Sequence, residues 1–142
     1  MISLTRSAGR YVSKLSNKLR RKLDMLSSRK EFSGSQGRTL HFLLAQTDDI
    51  FQKDIEEEYS IRPSTATELL KQMEKKDLIS RETVPYDNRL KKIVLTEKAL
   101  TYKNQVVEDL TNLEEELTQG ISEEKLEIFF EVIEKMMDNL SE

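Results

Sequence analysis

Ser64, Thr65, Thr67, Glu68, Lys71, Gln72 and Lys75 fall on one side of a short, helix-like stretch. These side chains suit recognition rather than bond making. Short hydroxyls near a helix start can approach base edges and phosphates, and lysine stems reach toward a polyanionic backbone. Arg62 stands just ahead of them, and Arg81, Asp87, Asn88, Arg89, Lys91 and Lys92 follow in two strand-like segments and the loop between them. An arginine at an exposed loop tip fits a narrow minor groove, where negative potential is concentrated.

The rest of the chain is poor in reactive chemistry. It has no cysteine and one histidine, His41, so disulfides, thiolate metal sites and a cysteine redox switch are excluded. A metal site would need His41 together with carboxylates, of which Glu31, Asp48 and Asp49 are nearest in sequence. A lone histidine among Leu40, Phe42 and Leu43 reads as a packed side chain. Glu56-Glu57-Glu58 and Glu114-Glu115-Glu116 are runs of adjacent acids, which point in different directions on a helix and cannot converge on one substrate atom. No glycine-rich phosphate loop and no nucleophile beside a base is present. The expectation is a protein with no catalytic residue, no metal and no cofactor.

The elements that must position the polar set follow from hydrophobic spacing. Leu4, Tyr11, Val12, Leu15, Leu19, Leu23 and Leu26 give a first helix with one apolar stripe. Lys30 to Gly37 breaks it with small and turn-forming residues. A second helix carries Leu40, Phe42, Leu43 and Leu44, and a third covers about Ile50 to Tyr59. Ser60-Ile61-Arg62-Pro63 is a turn, because the residue before a proline resists helical angles. Ser64 or Thr65 is expected to cap a fourth helix with Ala66, Leu69, Leu70 and Met73 facing inward. Ile79 to Val84 and Leu90 to Leu95 read as strands joined by the loop Pro85 to Arg89. Thr96-Glu97 opens one long helix that Gly120 stops, and Ser122 caps the last helix, with Leu126, Phe129, Phe130, Ile133, Met137 and Leu140 as its apolar stripe.

Charge is divided unevenly along these elements. Residues 1–30 hold nine Lys or Arg against Asp24 alone, for +8, whereas residues 31–96 carry −2 and residues 97–142 carry −9. The overall −3 hides a basic end that can steer the molecule toward a polyanion, although both ends are equally readable as solvated helix faces. Charged residues make up 35% and apolar residues 37% of the 142, a balance that long helices produce and that often hides apolar surface against a second copy. No segment is long and apolar enough for a signal peptide or a membrane span, so the chain reads as cytoplasmic.

Helix, sharp turn, helix and short hairpin make a winged helix-turn-helix. A helix of about 10–12 Å diameter fits the DNA major groove while the helix before it acts as a brace. The polar face of the fourth helix alone would equally suit any surface helix. The basic hairpin after it favours nucleic acid. The expected fold is mainly α with one small β-hairpin: a winged core at about 33–96, flanked by helical dimerisation segments at about 1–30 and 97–142, all in a single domain.

From Ile55 through Thr96 the sequence resembles the MarR (multiple antibiotic resistance regulator) family of bacterial transcription factors. The resemblance rests on Ile61-Arg62-Pro63-Ser64-Thr65-Ala66-Thr67, on Leu70 with Met73 to Ile79, on Asp87-Asn88-Arg89, and on Val94-Leu95-Thr96-Glu97-Lys98. It implies a homodimer held by the first helix and the last two, Arg89 in the minor groove, and Asp87 holding the wing. It also allows a small-molecule effector and a repressor role. Asp77 and Ala99 stand where glycines are common in the family, and Glu56 where alanine is. Asp tolerates left-handed geometry better than most residues, and the Glu56 stem can lie along the helix pair with its carboxylate in water. The competing reading is a winged-helix protein–protein adaptor that never touches DNA, and a third, an all-helical metal-dependent sensor, rests on His41 alone.

Overall fold

The computed structural model describes residues 5–27 and 32–141. They form two compact units, one ending at Asp109 and one beginning at Leu110. The first holds α1 (Ala8–Ser27), α2 (Gly34–Ala45), α3 (Gln52–Tyr59), α4 (Pro63–Lys75), β1 (Ile79–Val84), β2 (Asp87–Leu95), α5 (Glu97–Thr101) and the start of α6 (Lys103–Thr118). The second holds the end of α6 and α7 (Glu123–Asn139). This is the expected winged helix, with α3 and α4 as the helix pair and the antiparallel β1–β2 hairpin as the wing. Leu4 and Lys30, named above, lie outside the described residues, as does Glu31.

Its core is assembled from the predicted apolar positions. Leu40 of α2, Ile55 of α3 and Ala66, Leu70 and Met73 of α4 are fully buried, and Leu78, Ile79, Val84 and Ile93 close the core from the hairpin. Ala66, Leu70 and Met73 recur at helical spacing, so one face of α4 is committed to the core and the other is left to water. In α1 the expected stripe is uneven: Leu23 is buried, while Tyr11, Val12 and Leu15 are exposed.

Five local readings change in three dimensions. First, α2 begins inside the segment expected to be a break. Ser33 caps it, accepting from the Gln36 N–H at 3.3 Å while the Gln36 side chain accepts from Ser33 N at 3.1 Å. The glycines here are spacers, because a Cβ on Gly34 would lie 2.7 Å from Leu23 Cβ and 3.1 Å from the Leu23 carbonyl carbon. Second, Ile50 belongs to an isolated β-bridge with Ile93, its carbonyl accepting from Ile93 N at 2.7 Å, and α3 starts later, at Gln52. Third, Arg62 stands at the N-cap position of α4 without a side-chain cap bond and Pro63 is the first helical residue, so neither Ser64 nor Thr65 is the cap. Proline suits the first helical position, because its missing N–H has no partner there anyway and its fixed φ is already helical.

The fourth difference is at the wing tip, where the connection is only Pro85-Tyr86. Thr83 pairs with Lys91 and Val84 with Asp87, so Asn88, Arg89 and Leu90 bulge out of β2 without cross-strand partners. Fifth, the long helix expected from Thr96 is interrupted at Tyr102, between α5 and α6. The Tyr102 ring sits edge-on to buried Phe32 with centroids 5.1 Å apart. Other expectations hold as drawn. Asp77 takes the left-handed conformation (φ 59°), and the bonds Leu78 N to Met73 O (2.9 Å) and Asp77 N to Glu74 O (3.0 Å) close the end of α4. Gly120 (φ 79°) follows α6, and the Ser122 hydroxyl caps α7.

The glycine contacts give a test with two signs. Gly34→Ala is expected to destabilise by about 1–3 kcal/mol, because backbone atoms of α1 must move, even though alanine favours helix by about 1 kcal/mol. Gly9→Ala, with nothing within 4 Å of the added methyl, should be neutral or slightly stabilising. Urea unfolding of both variants at one protein concentration checks the pair.

Candidate nucleic-acid interface

The outer face of α4 presents Ser64, Thr65, Glu68, Lys71 and Lys75 to solvent, with Arg62 exposed just before them. This follows from the burial of Ala66, Leu70 and Met73, which turns the intervening positions outward. Gln72 is half-buried and its amide donates to Glu68 Oε1 at 2.9 Å, one helical turn back. Thr67 is also half-buried and turned toward α3. Its hydroxyl donates to the Pro63 carbonyl at 2.9 Å and accepts from the Gln52 amide at 2.9 Å. Of the α4 residues singled out from the sequence, Thr67 alone is held sideways into the helix pair.

At the wing, Asp87 and Arg89 form one unit. Asp87 Oδ1 accepts from the Arg89 backbone N–H at 2.9 Å and from Nε at 3.1 Å, and Oδ2 accepts from Nη2 at 3.2 Å. The Arg89 guanidinium and its backbone N–H hold the Asp87 carboxyl below the usual carboxylate range. With a depressed folded value, the ionised clamp is complete at neutral pH and opens only as pH falls through that lowered value. The Arg89 side chain is 86% exposed, so the clamp aims the cation without hiding it. Asn88 and Lys91 are exposed beside it.

Arg81 behaves differently from the expectation of an outward cation. Its Nη2 donates to Gln52 Oε1 at 3.1 Å, and Nε faces Glu74 Oε1 at 3.5 Å without hydrogen-bond geometry, so this buried N–H has an ionic neighbour but no acceptor. The guanidinium is used inside the protein, tying β1 to α3 and α4. Lys92 leans toward Asp49 at 3.8 Å. Glu56 accepts from the Gln52 amide at 3.2 Å, so its carboxylate is not left to water alone.

Two side chains that the sequence reading passed over belong to this frame. Gln52 meets Arg81 and Thr67 at once, and Lys76 Nζ donates to Gln36 Oε1 at 2.9 Å, anchoring the end of α4 to the start of α2. Neither carries a sequence signal, since a lone Gln or Lys at a helix end has no distinctive spacing. Among the described residues no three His, Asp or Glu side chains come together as a metal-binding group. A cleft of about 260 Å³ lies beside the wing, lined by Leu43, Gln46, Asp48, Asp49, Lys92 and Ile93, among others. No helix among the described residues is long and apolar enough to cross a membrane.

Comparison with known proteins agrees with this geometry. Residues 33–91 match the model of the MarR family. The chain superposes on the transcription regulator MarR from Oenococcus oeni PSU-1 with a TM-score of 0.85 at 27% identity, covering 93% of this chain and 99% of that one. The S. aureus MepR–DNA complex gives a TM-score of 0.88 at 26% identity, covering 98% and 100%. The transcriptional regulator SlyA, at 19% identity, shares the fold with a TM-score of 0.84 over 95% and 94%. The family and these neighbours are transcription regulators, not enzymes.

Proposed function

From the match of residues 33–91 to the MarR family of transcription regulators, we propose that the chain is a cytoplasmic, homodimeric, effector-responsive repressor that reads a pseudo-palindromic DNA operator. The observation that carries this is the pairing of two exposed basic surfaces on one braced frame: the outer face of α4 and the clamped Arg89 of the wing. In this reading α4 enters the major groove, where Ser64, Thr65, Glu68 and Gln72 meet base edges and nearby phosphates, while Thr67 stays turned into the helix pair. Arg62, Lys71, Lys75 and Lys91 take the flanking phosphates, and Arg89 with Asn88 enters the adjacent minor groove while Asp87 holds the wing. Arg81 is assigned to bracing rather than to phosphate contact. The S. aureus protein that this chain resembles at 26% identity was solved on DNA, which supports the same use of the fold.

The winged core at about 33–96 does the reading, and the segments at about 1–30 and 97–142 hold two copies together. Exposed Tyr11, Val12 and Leu15 on a basic α1, and exposed Ile128, Phe129, Phe130 and Val132 on an acidic α7, support this division. Opposite charge on two apolar faces suits association between copies.

Selection of bound duplexes from a random pool tests the reading. A two-fold dimer offers two identical helices, so the expected product is an inverted repeat with half-site centres about one helical turn, roughly 10 base pairs, apart. A·T-rich flanks should be enriched where the wings fall. Affinity should drop steeply as salt rises. Direct repeats or asymmetric sites would refute the dimeric reader, and a flat salt response would favour the protein–protein adaptor.

A further inference from the structure

Gln52 is the first residue of α3, half-buried, and both ends of its amide are engaged. Its oxygen accepts from Arg81 Nη2 of the wing strand at 3.1 Å. Its nitrogen has two hydrogens and three acceptors within reach: Thr67 Oγ1 at 2.9 Å, and Glu56 Oε2 and Pro63 O each at 3.2 Å. Thr67 passes the chain on to Pro63 O at 2.9 Å. One amide therefore links β1, α3 and the first turn of α4. Among the described residues, Gln52 supplies the one hydrogen-bond acceptor that Arg81 has, because Nε meets Glu74 at 3.5 Å out of alignment.

The strength of such a link lies in direction more than in energy. A hydrogen bond from a guanidinium adds modest net stability, and a fixed donor–acceptor pair also sets the angle between the elements it joins. α4 and the wing enter different grooves of the same duplex, so a change in their relative angle misplaces one when the other is seated. We propose that Gln52 is a positioning residue for DNA reading, which locks the start of the major-groove helix to the wing strand so that both present as one rigid reader. This rests on the DNA-binding function proposed above, and the test keeps the two apart.

Gln52→Ala and Gln52→Met are compared with the parent on the selected operator and on a random-sequence duplex at equal salt. Methionine keeps the length and apolar packing of the side chain and removes every hydrogen bond of the amide. Operator affinity is expected to fall about tenfold in both variants. Affinity for random duplex, and the slope of affinity against salt, should stay at the parent value, because no phosphate contact has been removed. Thr67→Val combined with Gln52→Met should lose less than the sum of the two single changes, as expected for members of one network. Parallel loss on both duplexes, unchanged operator affinity, full additivity, or variants unfolded at the assay temperature would each overturn the positioning role. A parent that binds no duplex in a salt-dependent way would instead overturn the DNA reading itself.

Discussion

Deletion of residues 121–142 is expected to yield an aggregating or unfolded chain with no stable dimer and no operator binding. The segment contains α7, on which Ile128, Phe129, Phe130, Val132 and Met137 are all exposed in the single chain, as is Leu140 at its C-cap. Only Leu126, Ile133 and Met136 are even half-buried, so the stripe expected from the sequence is divided between an inner seam and a bare outer face. Apolar patches of this extent are uncommon on monomers and mark surfaces that a partner covers. In the proposed dimer a second copy covers it, and removing α7 strips the apolar surface that opposes the rest of that contact. Even a correctly folded monomer would engage one half-site only, and losing the tethered second site lowers apparent affinity by about a hundredfold or more. Sedimentation of the truncated protein and titration of the selected operator decide the matter. A soluble, folded monomer would mean that the dimer is built elsewhere.

Arg89→Ala should give the second large effect, confined to DNA. The Arg89 side chain is exposed, and its partner Asp87 is half-buried at the surface of the wing. Exposed ion pairs of this kind add little to folding, so the thermal midpoint and the dimer should stay close to those of the parent. In the proposed complex the same change removes a cation from the minor groove, with an expected loss of roughly ten- to a hundredfold in operator affinity. The salt slope should become shallower as fewer counterions are displaced. Equal operator affinity of variant and parent at equal salt would show that the wing does not enter the groove. A fall in thermal midpoint comparable to that of a core substitution would show that the clamp has a structural role instead.

The two predictions draw on different levels of organisation. The exposure of Arg89 follows from its place between two β-branched segments, and the contact with Asp87, whose holding role the family resemblance implies, is made within two residues of chain. The same holds for Ser122 as a cap, Asp77 in left-handed geometry and Ala66, Leu70 and Met73 as the inner face of α4. All are short-range effects, settled within a turn or two of chain, and the sequence by itself determined them along with the order of elements around the wing.

What only the tertiary structure decided involves partners far apart in the chain. Gly34 and Gly37 look like helix breakers, yet they lie inside α2 because Leu23 and Phe32 occupy the space that side chains there would need. Ile50 leaves α3 because Ile93 offers it a bridge. Arg81 carries the charge of a phosphate ligand but is turned inward to Gln52 and Glu74. A polar side chain announces that it needs a partner, whereas the identity of that partner depends on which elements pack together. Hydrophobic spacing therefore placed α4 and the hairpin in order along the chain, and only packing decided which side chains join them.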